Sequence, residues 1–371
     1  MSVLGRYVSR MFLVRLAVVL FSVGGFGLLF DLLENGDNVA RSAQGHAWPV
    51  LTYSLLRLPI IVSEMVPLGA LVAGILTVGD LLRHRELVIM WNGGVSPLGL
   101  IIRLLPVGLM LVAVKFAVDD WVVPRASAEL RDWAVGDYRR SSIVGGDATK
   151  VWLRSGHDLV RIDRDAAVRG RVVDITVFRR DDKGLLIERL DAAGARERTG
   201  DWLLRDVTRR TVGTARVEKL PAVLWSGRIA LDEIALIARE PRELSLSQLG
   251  TVIQNQAFGI RSTAAYSTWL HVRLANALVP FLLVVLAFAL AGRFSRTGTL
   301  TPIFIRGIGI GFSFHVAEGI VVALGEVGLV EPRIAAWALP LGLAIVVLLP
   351  PILAELRDRQ AHGRLQPLPQ S

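Results

Sequence analysis

Six long apolar runs and one long polar interval divide the chain. Each run approaches the roughly 20 mostly apolar helical residues that a hydrocarbon core of about 30 Å requires. Met11 to Phe30 carries the single charge Arg15, and Leu58 to Gly79 carries Glu64. Leu98 to Val118 carries Arg103 and Lys115 near its ends. Leu274 to Gly292 and Ile334 to Ala354 are uncharged, and Gly307 to Leu324 holds His315 and Glu318. The first run is long for a signal peptide and no small-x-small cleavage site follows it, so it reads as an uncleaved span. The polar interval runs from Asp119 to about Arg273.

The interval has the period of strands. Lys150 to Leu153, Leu159 to Asp163, Arg171 to Arg180, Gly184 to Leu190, Asp201 to Thr208 and Ala215 to Leu224 alternate apolar and polar residues. Gly, Asp and Arg clusters separate them, a spacing that predicts a sandwich or jelly roll. Val172, Ile175, Val177, Leu186, Trp202 and Leu204 are its expected apolar face. Ser245 to Phe258 then switches to a helical period, with Ser245 and Gln248 in capping-box positions. The expected fold is a polytopic α-helical membrane protein with six transmembrane helices and an inserted all-β, jelly-roll-like periplasmic domain. Its divisions are residues 1–118 (helices one to three), 119–270 (the β domain and a linker helix), 271–356 (helices four to six) and 357–371 (a tail).

Composition sharpens this picture. The 371 residues are 52% hydrophobic with a mean hydropathy of +0.49. That excludes a disordered chain, which is poor in apolar residues. With no cysteine there is neither a disulfide scaffold nor a Cys-ligated metal. The net charge of +9 and pI near 10.6 would suit a nucleic-acid binder. The segregated spans give those charges another use. Arg6, Arg10 and Arg15, then Arg83, Arg85 and Arg103, then Arg293, Arg296 and Arg306, then Arg357, Arg359 and Arg364 fall on one side; Arg41, Arg57 and Arg333 fall on the other. The excess of Lys and Arg in cytoplasmic loops puts both termini in the cytoplasm and the β domain outside.

Catalytic patterns are missing. Gly145 to Lys150 echoes a nucleotide loop without its Gly-Lys-Ser/Thr ending, and no His-Glu-x-x-His or Gly-x-Ser-x-Gly occurs. His315 and Glu318 share a helical face, but two ligands are too few for a metal; a polar cavity wall or a helix contact is the better reading. Arg57 and Glu64 are seven apart on one face; they are expected to pair, with contact to a lipid head group as the alternative. The loop after the second span is more informative. Arg83 to Met90 can form a short helix with Leu87 and Met90 on one face and Glu86 beside it; Gly93-Gly94 ends it, and Ser96-Pro97 starts the next span. Such a helix either lies in the head-group layer or fits a groove on a cytoplasmic partner.

Glu86-Leu87-x-x-Met90-x-x-Gly93-Gly94-x-Ser96 resembles the "E-L-x-x-M-x-x-x-G-x-S" segment of the LptF/LptG permease family, membrane subunits of the lipopolysaccharide-export ABC transporter. Other segments agree in order: Arg6-Tyr7-Val8, Tyr53 to Pro59, Pro67 to Gly74, Trp121-Val122-x-Pro124, Val151 to Ile162, and Pro241-x-x-Leu244-Ser245-x-x-x-Leu249. The opening and the Val151 to Ile162 stretch look more like the LptG branch. The resemblance implies a permease that extracts lipopolysaccharide from the inner membrane and passes it to a periplasmic bridge. It is not itself an enzyme: an LptB-like ATPase dimer uses the ATP, and no cofactor or metal is bound by this chain. An LptF-like paralogue, a single-span LptC-like protein and an LptA-like bridge are the implied partners, with no nucleic acid. A coupling helix at about 81–92 would dock on the ATPase through Arg85, Glu86, Leu87, Met90 and Gly93. The implied lipid cavity takes Phe26, Leu29, Phe30, Arg41, Arg57, Phe312, Phe314, His315 and Glu318. One stretch departs from the branch: where basic residues are common, Asp31 to Asp37 is acidic. A permease for another lipid therefore stands as the alternative. A membrane sensor would need a cytoplasmic output domain, and a lipid enzyme a cluster of nucleophile or carboxylate groups; neither is found in the sequence.

Overall fold

The computed structural model describes residues 3–42, 48–133, 150–163, 166–167, 171–198, 200–214, 217–227, 236–237, 239–254, 262–294 and 301–363. Residues 145–149, Arg296 and residues 364–371 lie outside that range, as do the side chains of Arg41 and Arg293. The chain forms two compact units: residues 1–139, 271–324 and 333–371, and residues 140–270 with 325–332.

The first unit is helical. Its elements are α1 (Val3–Ser42), α2 (Trp48–Arg83), the short α3 (Glu86–Asn92), α4 (Pro97–Ala117), a π-helical turn (Val118–Val122), α5 (Val123–Trp133), most of α7 (Thr263–Phe294), α8 (Thr301–Glu326) and α9 (Pro332–Gly363). All six apolar runs fall inside helices long and apolar enough to cross a membrane. The helices exceed the runs because backbone hydrogen bonding does not stop at the edge of the hydrocarbon. The 36 residues of α2 span about 54 Å at 1.5 Å per residue. The boundary read at Asp119 is corrected by the same argument. Asp119 and Asp120 end the hydropathy signal, but the helical backbone runs on through the π-turn and α5 to Trp133.

Where side chains are this uniformly apolar, close approach of backbones decides the packing. Gly108 of α4 faces Phe281 of α7; a Cβ there would lie 2.2 Å from the ring. Gly307 and Gly311 of α8, spaced G-x-x-x-G, meet Ile75 and Leu71 of α2 in the same way. The helices are unequally enclosed. In the most apolar window of α7, 67% is buried within the chain, and 56% in α2, but only 11% in α1 and 22% in each of α8 and α9.

The second unit is built on six strands: β1 (Lys150–Ser155), β2 (Asp158–Asp163), β3 (Val172–Arg180), β4 (Leu186–Arg198), β5 (Asp201–Thr211) and β6 (Val217–Trp225). All pair antiparallel with their sequence neighbours, in the order β1-β2-β3-β4-β5-β6. Among the described residues this is a meander, without the Greek-key crossings that define a jelly roll. β4 is longer than its alternation indicated, because Ala192 to Ala195 are too small to show a period, yet Ala192, Gly194 and Ala195 still pair with both neighbours.

Val172, Ile175, Val177, Trp202 and Leu204 are buried as expected, together with Val160, Leu190 and Val207; Leu186 is exposed, since it pairs with Arg180 at a register shift near the sheet end. The core face also slips phase. In β3 the buried positions are Val172 and then Ile175; in β5, Leu204 and then Val207. Between them Asp174 (φ 47°) and Asp206 (φ 52°) take the left-handed conformation, tolerated by Asp better than by most residues. Both lie on one line across the sheet, because Ile175 pairs with Ala192 and Ala192 with Val207. Helix α6 (Leu246–Gln254) closes this core with Leu249 and Val252. Its capping box forms: Gln248 N donates to Ser245 Oγ at 3.3 Å, and Ser245 N to Gln248 Oε1 at 3.0 Å.

Candidate functional site

The loop helix α3 is shorter than expected and set apart from α2. The α2 helix ends at Arg83, His84 and Arg85 turn the chain, and Arg85 adopts φ 60° ahead of α3. That left-handed residue lets Glu86–Asn92 start as a separate helix. At the far end Gly94 takes φ 83°, and Ser96 caps α4 by accepting from Gly99 N at 3.0 Å with Pro97 in the first turn.

The two faces of α3 differ. Leu87 is 1% exposed and belongs to a core with Val8 and Phe12 of α1, Leu81 of α2 and Leu100 and Leu104 of α4; Met90 packs against it. Ile89 is 67% exposed, Val88 is exposed too, and so are Arg85 and Gly93. Leu87 and Met90 are therefore the anchor of this helix, and its outer face is Arg85, Val88 and Ile89. Glu86, half-buried, accepts a hydrogen bond at Oε1 from the Tyr7 hydroxyl of α1 at 3.1 Å. Nearby, Arg15 of α1 bonds both Asp80 and Thr77 of α2.

At the other end of these two helices Asp31 of α1 is buried. Its Oδ1 accepts from Arg57 Nε at 2.8 Å and its Oδ2 from the Tyr53 hydroxyl at 2.6 Å, both on α2. Arg57 thus bonds Asp31, not the Glu64 assigned to it from sequence, which is exposed. Seven residues are two helical turns, about 10.5 Å, whereas Asp31 is held alongside by the packing of α1 on α2. The acidic stretch after the first span has a structural use at its first residue.

The expected lipid-facing residues separate into two kinds. Phe26, Leu29, Phe30 and Phe312 are exposed, and Phe26 and Phe30 meet edge to face at 4.7 Å. Phe314 is buried in a cluster with Leu71, Ile75 and Leu283. His315 Nδ1 lies 3.2 Å from Glu318 Oε2, and its Nε2 is buried without a partner among the described residues. Arg41 falls in the last turn of α1, its side chain outside the described range. No group of three or more metal-ligating side chains occurs among the described residues.

One cluster escaped sequence reading. Lys115 Nζ of α4 lies 2.5 Å from Asp119 Oδ2 and 2.8 Å from Ser63 Oγ of α2; Ser63 also bonds Asp119, and the Arg273 guanidinium of α7 donates to the Asp119 carbonyl. All four residues are buried. The i,i+4 spacing of Lys115 and Asp119 was a visible signal, but the run's end made both look like exposed flanks. The cleft between α2 and α8, bounded by Ile75, Asp80, Arg83, Ile303 and Phe304, is about 130 Å³. That is below the roughly 300–1,000 Å³ of ordinary ligand pockets.

Residues 6–350 match the family described as the lipopolysaccharide export system permease LptF/LptG. The chain is also 23% identical over 357 residues, 94% of its length and 97% of the relative's, to the lipopolysaccharide export system permease protein LptG of Haemophilus influenzae.

Proposed function

Because this chain belongs to the LptF/LptG family of lipopolysaccharide export permeases, we propose that it is an LptG-like transmembrane subunit that withdraws lipopolysaccharide from the inner membrane for delivery to the outer membrane. The observation that carries the reading is the extent of the match: it runs from the first span into the sixth and takes in α3 and the inserted β unit in their order.

The energy source is a separate cytoplasmic ATPase dimer that receives α3. Leu87 and Met90 root the helix in the membrane unit, while Arg85, Val88 and Ile89 are exposed to a partner and Glu86 sits at the edge. That face offers a groove apolar contacts beside the Arg85 cation, with the Glu86 carboxylate at its edge for a basic group. Both termini are cytoplasmic and the β unit periplasmic, on the Lys and Arg balance of the loops. An LptF-like paralogue completes the cavity. The sparsely enclosed α1, α8 and α9 leave Phe26, Leu29, Phe30 and Phe312 open to a second wall. LptC-like and LptA-like proteins continue the route.

Purification of the assembled transporter with bound lipid, followed by mass spectrometry, tests the substrate. Phosphorylated, multiply acylated lipopolysaccharide should co-purify in near-equal amount with the complex. A different lipid class, enriched above its membrane abundance in its place, would assign the permease another cargo.

A further inference from the structure

We infer that Tyr7 is a positioning residue that transmits the movement of α3 to span one. The inference rests on the coupling role proposed for α3. Covalent linkage carries any displacement of α3 into α2 and α4, which flank it, but α1 has no such connection. Two polar contacts supply one. Tyr7 donates to Glu86 Oε1 at 3.1 Å, and about two turns further along the same helix Arg15 bonds Asp80 and Thr77 towards the end of α2. Val8 and Phe12, fully buried beside Leu81 and Leu87, fill the space between these contacts. The cytoplasmic third of α1 is therefore held to the loop by apolar packing, a hydrogen bond and an ion pair at once. Further out, Phe21, Phe26, Leu29, Phe30 and Leu33 are exposed, while Asp31 holds the helix to Tyr53 and Arg57 of α2.

The chemistry permits Glu86 to serve both sides. A carboxylate has two oxygens with about four acceptor sites, so Glu86 can take a basic partner from the ATPase while Tyr7 holds Oε1. Apolar packing alone is non-directional and allows α1 to slide or rotate against α3. A hydrogen bond to a charged group fixes both distance and direction, and at this exposed position corresponds to a factor of about five in an equilibrium. Tyr7 thereby makes α1 follow the loop through the transport cycle.

The full chain, assembled with its partner permease and ATPase in lipid nanodiscs, provides the test. Tyr7→Phe keeps the ring and removes only the hydroxyl. ATPase co-purification and ATP hydrolysis should stay within about twofold of wild type, while lipid extracted per ATP falls about three- to tenfold. Glu86→Ala should lose the ATPase itself. If Glu86→Ala retains it in full, the coupling role of α3 fails; if Glu86→Ala loses it and Tyr7→Phe extracts lipid at the wild-type ratio, only the role of Tyr7 fails. Loss of the ATPase by Tyr7→Phe would also overturn the inference, since Tyr7 would then belong to docking. A second measurement does not rely on turnover. The chain has no cysteine, so Arg10→Cys and Asn92→Cys, both at exposed positions, can carry a pair of spin labels. Their separation should hold constant between nucleotide-free and vanadate-trapped states and change between them once Tyr7→Phe is added. A wild-type separation that changes through the cycle would sink the inference.

Discussion

Buried charge is the strongest residue-scale feature of the membrane unit. Lys115 and Asp119 lie together with Ser63 between three helices, and Arg273 bonds the backbone of the same turn. Desolvating two charges costs about as much as their attraction returns, so the pair itself adds little net stability, but removing one member strands the other. Asp119→Ala should therefore destabilise the protein by about 3–5 kcal/mol, whereas Lys115→Met combined with Asp119→Leu should recover most of that loss. Thermal unfolding of the three proteins in one detergent compares them; a double variant as unstable as Asp119→Ala would show that the pair has a role beyond mutual neutralisation. The π-turn at Val118–Val122 puts Asp119 within the reach of both α2 and α7. The spacing of Lys115 and Asp119 was open to inspection in the sequence. That Ser63 and Arg273 would meet them was not, because 56 and 154 residues separate those partners from Asp119 along the chain.

Among the elements, helix contacts depend on what is absent from certain positions. Gly108 leaves room for the Phe281 ring, and a methyl group there would sit 2.2 Å from it. Gly108→Ala should thus lower the midpoint of thermal unfolding in detergent and reduce the folded yield, by the roughly 1–3 kcal/mol typical of overpacking. Adding Phe281→Leu should restore part of the loss by making room for the methyl group. If the two losses simply add, α4 and α7 are not in contact through this pair. In the β unit the equivalent constraint is the line through Asp174 and Asp206, where the buried face changes phase in neighbouring strands. The alternating segments read from sequence supplied five of six core residues on the expected face. They misplaced Leu186, since alternation says nothing about where a sheet ends or its register shifts.

For the molecule as a whole, topology is the property that most constrains function. His157 lies exposed in the turn between β1 and β2, and the chain carries no cysteine. His157→Cys should accordingly react with a membrane-impermeant maleimide in intact spheroplasts, at the level reached after lysis. Labelling only after lysis would invert the proposed orientation. The six spans and the β unit were legible in advance because each rests on hydropathy summed over many residues, which errors at single positions do not disturb. The loop helix α3 was legible through its glycines, its capping serine and its resemblance to a family segment. Its true start was not, since Arg85 carries no mark of a left-handed residue.

By itself the sequence determined how many helices are long and apolar enough to cross a membrane, where the β unit is inserted, which loop carries a separate short helix and which family the chain resembles. These are local or additive properties: each depends on residues close together in the chain. Only the tertiary structure decided the partners. It took Arg57 from Glu64 to Asp31, gave Glu86 to Tyr7, drew Lys115, Asp119, Ser63 and Arg273 into one buried cluster, and sent Phe314 into the core while Phe312 stayed exposed. Inside an apolar run every face has the same hydropathy, so composition cannot say which face meets a neighbour. That choice follows from where small residues let two backbones approach and where a buried polar group finds its bond.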